Sequence, residues 1–247
     1  IKPFAEKHRD IIRVRYMSLS VACYYRLFIP QIFTAYRRML YLDVDLVALT
    51  DVAKLFDTDL KGKSIGAVRD SGIVNWKSVA ERAKLLKGAE WQKYFNSGVL
   101  LFDIQKTLKR DLIGKLLSYL SSCKNNTGIF FEDQDALNAV CGDDVQLIDE
   151  RWNVLSYCSA KDMIPAKDIL IMHYVGCKPW KENLKLDDLW WKYAEKTPYY
   201  RRLVLGKYLI HIPAKAIKDC YLYLLKAAMF IYLYLLKAAM FILNLTS

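Results

Sequence analysis

The sequence lacks the cysteine pattern of a disulfide framework. Its six cysteines form no CxxC pair and follow no regular spacing; they are Cys23, Cys123, Cys141, Cys158, Cys177 and Cys220. Free thiols in a reducing compartment fit this pattern better than structural disulfides. The sequence also opens without a basic segment followed by an apolar stretch, so no secretory signal is recognised and a cytoplasmic protein is expected.

Acidic residues are scarce at both ends of the chain. Residues 1–40 hold eight Lys and Arg against two acids, and residues 201–247 hold seven against one. Basic ends suit nucleic acid or an anionic membrane surface. Because the chain contains no recognised nucleic-acid-binding motif, we expect no nucleic-acid partner.

Apolar residues make up 54% of the chain, which is enough for one large domain or one domain with an appendage. Apolar runs that predict strands alternate with segments of helical period, and this order favours an α/β domain with a mostly parallel sheet. The predicted strands are 11–17, 37–49, 64–68, 145–150 and 168–175, and residues 94–104 are an apolar run broken by Asn96, Ser97 and Gly98. The predicted helices are 18–33, 106–123 and 132–142, with a short helix and turn at 51–64. A serine cap is expected to open the helix at 18–33, and Pro30 is expected to mark an end or kink.

The C-terminal tail, residues 206–247, differs in kind from residues 1–205. Residues 221–231, YLYLLKAAMFI, recur unchanged as residues 232–242. Lys226 and Lys237 are the charged residues of this stretch, and eleven residues are about three helical turns, so both fall on nearly the same face. A helix lying in the headgroup region of a membrane is favoured over a transmembrane helix. An amphipathic helix packed on the domain is the other alternative.

Two carboxylates end the apolar run MLYLDVDLV. Asp43 and Asp45 point to the same side of a strand, and open α/β sheets place ligands at such strand ends. Neighbouring carboxylates repel each other, and a divalent cation such as Mg²⁺ or Mn²⁺ removes the conflict. A solvated strand end is the alternative. Two further D-x-D triplets, at 57–59 and 133–135, end no apolar strand and are not predicted to bind metal.

Five motifs occur in the order found in glycosyltransferase family 8, and the chain resembles that family over roughly residues 12 to 200. The motifs are YYRLFIPQIFTAYRRMLYLDVDLVALTDVAKLF, YFNSGVLLFDI, FFEDQDALNAV, ERWNVL and MHYVGCKPW. The family includes lipopolysaccharide galactosyl- and glucosyltransferases. The resemblance implies a Rossmann-like GT-A fold with a mixed sheet flanked by helices, and a C-terminal amphipathic or apolar helix follows it here. It also implies a UDP-galactose or UDP-glucose donor, Mn²⁺ or Mg²⁺, and transfer with retention to a glycan or glycolipid.

The resemblance also implies a role for ten residues. Asp43, Asp45 and His173 would bind the metal, and the histidine nitrogen favours Mn²⁺. Asp133 and Gln134 would face the reacting sugar, and the donor would contact Arg26, Asp70, Asn96, Gly176 and Lys178. Taken singly, each of these residues has a structural explanation, such as a packed core histidine or a helix N-terminal acid.

Two features depart from the family's pattern. One residue separates Gly176 from Lys178, where many members have two. Family members also begin with two or three strand–helix units that bind uridine, whereas 42 residues precede the aspartate pair here, so an N-terminally truncated fold is expected.

Two hypotheses about function follow from the sequence. One is a glycosyltransferase held at the inner face of the cell membrane by its tail, and the other is a non-catalytic remnant that binds a membrane or a partner.

Overall fold

The computed structural model describes residues 2–12, 20–75, 91–123, 132–157, 164–184 and 186–210. Most of the strand predicted at 11–17 and the whole duplicated tail lie outside these residues. The chain divides into two compact units, of which the first comprises residues 1–178 and 184–190, and the second residues 179–183 and 191–247. The ten residues singled out from the sequence all belong to the first unit. The division predicted at residue 205 stays a prediction.

The described residues form seven strands and nine α-helices. The strands are β1 (Arg38–Leu42), β2 (Leu46–Ala48), β3 (Ile65–Arg69), β4 (Phe95–Asp103), β5 (Val145–Ile148), β6 (Val154–Leu155) and β7 (Ile171–His173). The helices are α1 (Lys2–Lys7), α2 (Ile29–Ile32), α3 (Ala53–Phe56), α4 (Ser71–Asn75), α5 (Ile104–Lys109), α6 (Leu112–Ser122), α7 (Glu132–Cys141), α8 (Asp187–Ala194) and α9 (Tyr200–Ile210). A 3₁₀ helix, Val21–Phe28, leads into α2.

The strands form two mixed sheets. The larger sheet has the order β1-β4-β3-β5, in which β4 runs antiparallel to both β1 and β3, while β5 is parallel to β3. In the smaller sheet, β7 pairs antiparallel with β2 and parallel with β6. The mixed sheet flanked by helices that the resemblance implied is therefore confirmed. The mostly parallel sheet expected from the alternation alone is wrong for the described strands.

Strand β4 is continuously apolar from Val99 to Phe102, where it is covered on both faces. Leu100 and Phe102 pack into one hydrophobic cluster, while Val99 and Leu101 pack into another on the opposite face. Successive side chains of a strand point to opposite faces, so a strand covered on both sides needs apolar residues at every position. Each such side chain contributes roughly 1.5–3 kcal/mol through burial.

Asp43 and Asp45 lie in a turn and not on a strand, because the run 37–49, which was predicted as one strand, is divided between two sheets. Strand β1 ends at Leu42 and β2 begins at Leu46, with Asp43 and Asp45 between them. The Asp43 amide donates to the Gly98 carbonyl oxygen at 2.8 Å, and the Asp45 carbonyl oxygen accepts from the Tyr174 amide at 2.9 Å. The turn thus joins the two sheets through one backbone bond to each. Strand β1 is half-buried at all five positions, and not buried on both faces as predicted.

The segment predicted as a helix at 18–33 is divided into two helical elements. Ser18 lies outside the described residues, and Ser20 caps the first element, because its hydroxyl accepts from the Ala22 amide. The 3₁₀ helix ends at Phe28, and Pro30 follows in the first turn of α2, so proline marks the boundary between the two elements. Proline suits this position because the first turn leaves amides without helical partners. Within the described residues, no helix is long and apolar enough to cross a membrane.

Candidate active site

Asp43, Asp45 and His173 converge where the two sheets meet. His173 ends β7 opposite Leu46, next to the acidic turn. The His173 Nε2 atom lies 3.2 Å from Asp45 Oδ1 and 3.7 Å from Asp43 Oδ2. One ligand atom from each of the three residues lies within 4.8 Å of the others. Two carboxylates and one imidazole form a donor set that suits a divalent transition metal.

Asn153 determines which nitrogen of His173 faces the carboxylates. Its Oδ1 atom lies 2.9 Å from His173 Nδ1, and its Nδ2 donates to Asn96 Oδ1 at 2.9 Å. With that amide orientation Nδ1 donates to Asn153, and Nε2 is the ring nitrogen that faces the two carboxylates. Two carboxylates and an imidazole oriented by a hydrogen bond on its other nitrogen are ligands that a divalent metal ion takes, so the residues present fit a metal ion.

Two basic side chains flank the triad. Lys178 Nζ donates to Asp45 Oδ2 and to the Tyr174 carbonyl oxygen, so the short spacing after Gly176 still lets the lysine reach the site. Gly176 makes this approach with φ of +74°, a conformation that glycine adopts without strain. Burial by itself would raise the pKa of Asp45, but the hydrogen bonds and charges of His173 and Lys178 outweigh it and hold that pKa well below its usual range.

Arg26 is buried between two carboxylates. Its guanidinium contacts Asp43 at 2.9 Å and Asp133 at 3.1 Å, and it donates to the Ser97 carbonyl oxygen at 2.6 Å. Burial would lower the pKa of Arg26, but the charges of Asp133 and Asp43 raise it above its ordinary value. The arginine therefore stays charged and neutralises part of the acidic cluster.

Asp133 carries a carboxylate oxygen that accepts no hydrogen bond within the described residues. This atom, Oδ2, is 3.1 Å from Arg26 Nε, yet the Nε–H group donates to the Cys23 carbonyl oxygen at 3.0 Å. Burial raises the pKa of Asp133 to about 6, and the positive charge of Arg26 opposes a larger rise. A buried acceptor without a donor is costly, so this oxygen is suited to a ligand hydroxyl.

A second network joins Asp70, Asn96 and Gln134. The Asn96 amide group donates to Gln134 Oε1 at 3.0 Å and to Asp70 Oδ2 at 3.4 Å. Gln134 Nε2 donates to the same Asp70 oxygen at 3.2 Å. Burial raises the pKa of Asp70, while hydrogen bonds from Ile73, Tyr157, Asn96 and Gln134 oppose that rise.

The predicted site residues line two adjoining cavities. Nine of the ten surround a polar cavity of about 170 Å³ that includes the triad. The tenth, Asp70, lines a neighbouring cavity of about 360 Å³, which shares Asn96, Gln134 and Gly176 with the first. Strands and loops far apart in sequence thus bring all ten to one region. The D-x-D triplet at 57–59 instead has both carboxylates exposed on a surface turn.

Four residues of the site were not singled out from the sequence: Tyr41, Ser97, Gly98 and Asn153. Tyr41 donates to Asp43 Oδ1 at 2.5 Å, and burial raises the pKa of its hydroxyl. Asn153 stands inside the motif ERWNVL, so the motif was the available signal. Ser97 and Gly98 stand inside YFNSGVLLFDI. The roles of these residues depend on distances in the folded protein, which a sequence motif does not contain.

We expect Gly98→Ala to weaken Mn²⁺ binding by about tenfold or more, as displacement of groups that support metal ligands does. A Cβ at Gly98 would lie 2.2 Å from His173 Cε1 and 2.8 Å from Asp43 Oδ2, so two ligands must move. Calorimetric titration of Mn²⁺ measures the effect. Gly206→Ala is the matched control, since its Cβ would meet no heavy atom within 4 Å. Equal Mn²⁺ affinity in the two variants would contradict the assignment.

The chain matches a known family of proteins. The profile of Glycosyl transferase family 8 matches residues 3–184. General stress protein A of Bacillus subtilis is 30% identical over 182 residues, which are 68% of this chain and 62% of the relative. Lipopolysaccharide 1,2-glucosyltransferase of Escherichia coli is 29% identical over 194 residues, which are 74% of this chain and 53% of the relative. The chain thus spans less than two thirds of the length of these relatives.

Solved structures share the fold. The galactosyltransferase LgtC, in complex with donor and acceptor sugar analogs, superposes with a TM-score of 0.60 over 85% of this chain and 74% of that chain. The sequence identity in this comparison is 20%, so the likeness concerns the fold. It agrees with the mixed sheet and flanking helices described above.

Proposed function

Because the chain belongs to glycosyltransferase family 8, we propose that it transfers a hexose from UDP-glucose or UDP-galactose to a glycan acceptor, with retention of anomeric configuration. One observation carries the proposal: Asp43, Asp45 and His173 hold their ligand atoms within 4.8 Å of one another, beside Lys178. The non-catalytic alternative is not favoured, because the ten residues that the resemblance implies for metal and donor all line two adjoining cavities.

A metal ion at this site would be held by Asp43, Asp45 and His173, and would supply positive charge for the diphosphate of the donor. The imidazole ligand favours Mn²⁺ over Mg²⁺. Lys178 and Arg26 add positive charge at the same cavity, where negative charge develops on the departing UDP. Its contact with Asp45 positions Lys178 at this edge of the site.

Two acidic groups and two amides would hold the donor sugar. Asp133 Oδ2 lacks a hydrogen-bond donor among the described residues and would accept from a sugar hydroxyl. Asp70, Asn96 and Gln134 line the adjoining cavity and fix one another through hydrogen bonds. Side chains locked in this way orient a substrate without being reorganised on binding.

Retention is best explained by attack of the acceptor on the same face that UDP leaves. A covalent intermediate needs a nucleophile, and Gln134 is the nearest candidate implied by the family. Its Oε1 atom accepts from Asn96 Nδ2 at 3.0 Å and from the Ser97 amide at 3.0 Å, which reduces an already weak nucleophilicity. We assign Gln134 and Asp133 to orienting the sugar, and the departing phosphate to assisting the acceptor's proton.

The acceptor we propose is lipopolysaccharide or another glycolipid, by analogy with the lipopolysaccharide glucosyltransferase to which the chain is similar. The basic, aromatic tail supports binding to the inner face of the cell membrane, where such an acceptor is anchored. This part of the proposal rests on the sequence, since residues 211–247 of the tail lie outside the described residues.

The proposal is tested by incubating the chain with Mn²⁺ and UDP-glucose or UDP-galactose, and following the release of UDP with and without glycolipid acceptors. We expect metal-dependent release that an acceptor accelerates and EDTA stops. Early proton NMR spectra of the product should show the anomer of the donor, which identifies retention. No release with either donor, together with no UDP binding by a chain that melts cooperatively, would overturn the proposed function.

A further inference from the structure

Asp70 has no free acceptor position in this structure. Its Oδ1 accepts from the Ile73 amide at 2.9 Å and from the Tyr157 hydroxyl at 2.7 Å. Its Oδ2 accepts from Gln134 Nε2 at 3.2 Å and from Asn96 Nδ2 at 3.4 Å. A carboxylate offers about four lone-pair positions, and all are used. If Asp70 is to accept from a sugar hydroxyl, one of the four donors must leave.

Three of these donors are held in place by the fold. The Ile73 donor is a backbone amide within α4. Asn96 also donates to Gln134, and its Oδ1 accepts from the Gly98 amide and from Asn153. Gln134 accepts from the Ser97 amide and from Asn96. Moving either amide would therefore break the support of the whole site.

Tyr157 is different in both position and exposure. Its side chain is 39% exposed, whereas Ile73, Asn96 and Gln134 are buried. It lies in the turn after β6 and forms part of the wall of the 360 Å³ cavity that also contains Asp70. Its hydroxyl belongs neither to the backbone nor to the network of Asn96 and Gln134, so a ligand hydroxyl can replace it on Asp70 without breaking that network.

We infer that the Tyr157 hydroxyl occupies the position of a donor-sugar hydroxyl on Asp70, and that the sugar displaces it on binding. The inference rests on the proposed function and deepens it, because Tyr157 becomes a specificity-determining residue. A sugar that presents a hydroxyl to Asp70 donates one hydrogen bond to it in place of the one that Tyr157 donates. A sugar that lacks one, or has it in the other configuration, leaves Tyr157 in place and competes poorly.

Removing the tyrosine hydroxyl should therefore tighten the binding of a sugar nucleotide. The apparent affinity of a ligand is its intrinsic affinity multiplied by the fraction of protein in the binding-competent state, so abolishing a competing state raises it. Because the competing state loses a hydrogen bond to a charged group, Kd should fall on the order of tenfold in Tyr157→Phe. UDP alone, which lacks the transferred hexose and its hydroxyls, should bind both forms equally.

Gly72 offers a second way to release Tyr157. A Cβ at Gly72 would lie 1.9 Å from Cε2 of the Tyr157 ring, so Gly72→Ala should push the ring away from Asp70 while the hydroxyl is kept. Gly72→Ala is expected to act in the same direction as Tyr157→Phe. The double variant should gain nothing over the stronger single variant, because both changes remove the same contact.

The experiment is calorimetric titration of the full chain with UDP, UDP-glucose and UDP-galactose in the presence of Mn²⁺. Tyr193→Phe is the control, since it removes the same hydroxyl from a ring that is 38% exposed and far along the sequence. Tighter binding of either sugar nucleotide by Tyr157→Phe and Gly72→Ala, with UDP binding unchanged, supports the inference.

Two outcomes overturn it in distinguishable ways. If UDP binds the wild-type chain but the sugar nucleotides bind the two variants equally or more weakly, the displacement of Tyr157 is wrong and the proposed function stands. If the wild-type chain binds neither UDP nor a sugar nucleotide, the proposed function fails, and this inference fails with it.

Discussion

We expect Asp45→Asn to weaken Mn²⁺-dependent UDP binding by at least about 100-fold, since changes in groups that merely support metal ligands already cost roughly 10–100-fold. The substitution keeps the size of the side chain but removes one of two anionic ligands. It also removes the ion-pair partner of Lys178, whose Nζ contacts Asp45 Oδ2. A neutral amide in this position neither binds the cation well nor holds the lysine.

Calorimetric titration of UDP with and without Mn²⁺ measures this effect. Asp57→Asn is the matched control, because it makes the same chemical change in the exposed D-x-D triplet at 57–59. Retention of metal-dependent binding by Asp45→Asn, at the affinity of the control, would show that Asp45 is not a ligand. Loss of binding in the control as well would point to a general effect of charge.

We expect Arg26→Met to lower the free energy of unfolding by about 3–5 kcal/mol, the range for removing one partner from a buried ion pair. Arg26 is 7% exposed and neutralises Asp43 and Asp133 at 2.9 and 3.1 Å. Methionine has a similar length but no charge, so both carboxylates would remain in the cavity without compensation. Protonation of one of the two carboxylates would recover part of the lost stability.

The pH dependence of this deficit identifies its cause. Burial raises the pKa of Asp133 from an ordinary 3.8 to about 6 in the folded chain, so its contribution to stability is present at low pH and is lost as the pH rises through 6. Arg26 opposes that rise, and its removal raises the pKa further. The deficit of Arg26→Met should therefore be smaller at pH 5 than at pH 7.

Urea unfolding at the two pH values measures the deficit, with Arg37→Met as the control because Arg37 is exposed. A surface substitution of this kind changes stability within about 0.5 kcal/mol. An Arg26→Met deficit that is the same at pH 5 and pH 7 would mean that lost packing, and not uncompensated charge, causes the destabilisation.

Local patterns in the sequence determined much of the fold. The apolar run of β4, a serine cap on the first long helical segment and the helix at 132–141 follow from side-chain periodicity and capping chemistry. These features depend on neighbours within a few residues, so the sequence states them directly. The five ordered motifs also identified the family, and they contain nine of the ten predicted site residues; Asp70 is the tenth, and all ten line two adjoining cavities.

Only the tertiary structure decided how these residues act on one another. The acidic pair lies in a turn because Leu42 and Leu46 end and begin strands of different sheets. Asn153 fixes the ring of His173, and the Tyr157 hydroxyl occupies a position on Asp70, through contacts between residues far apart in the chain. The sequence determined which chemical groups are present and which segments form strands and helices. Strand register and packing, which depend on the whole chain, decided the distances between those groups and hence their chemistry.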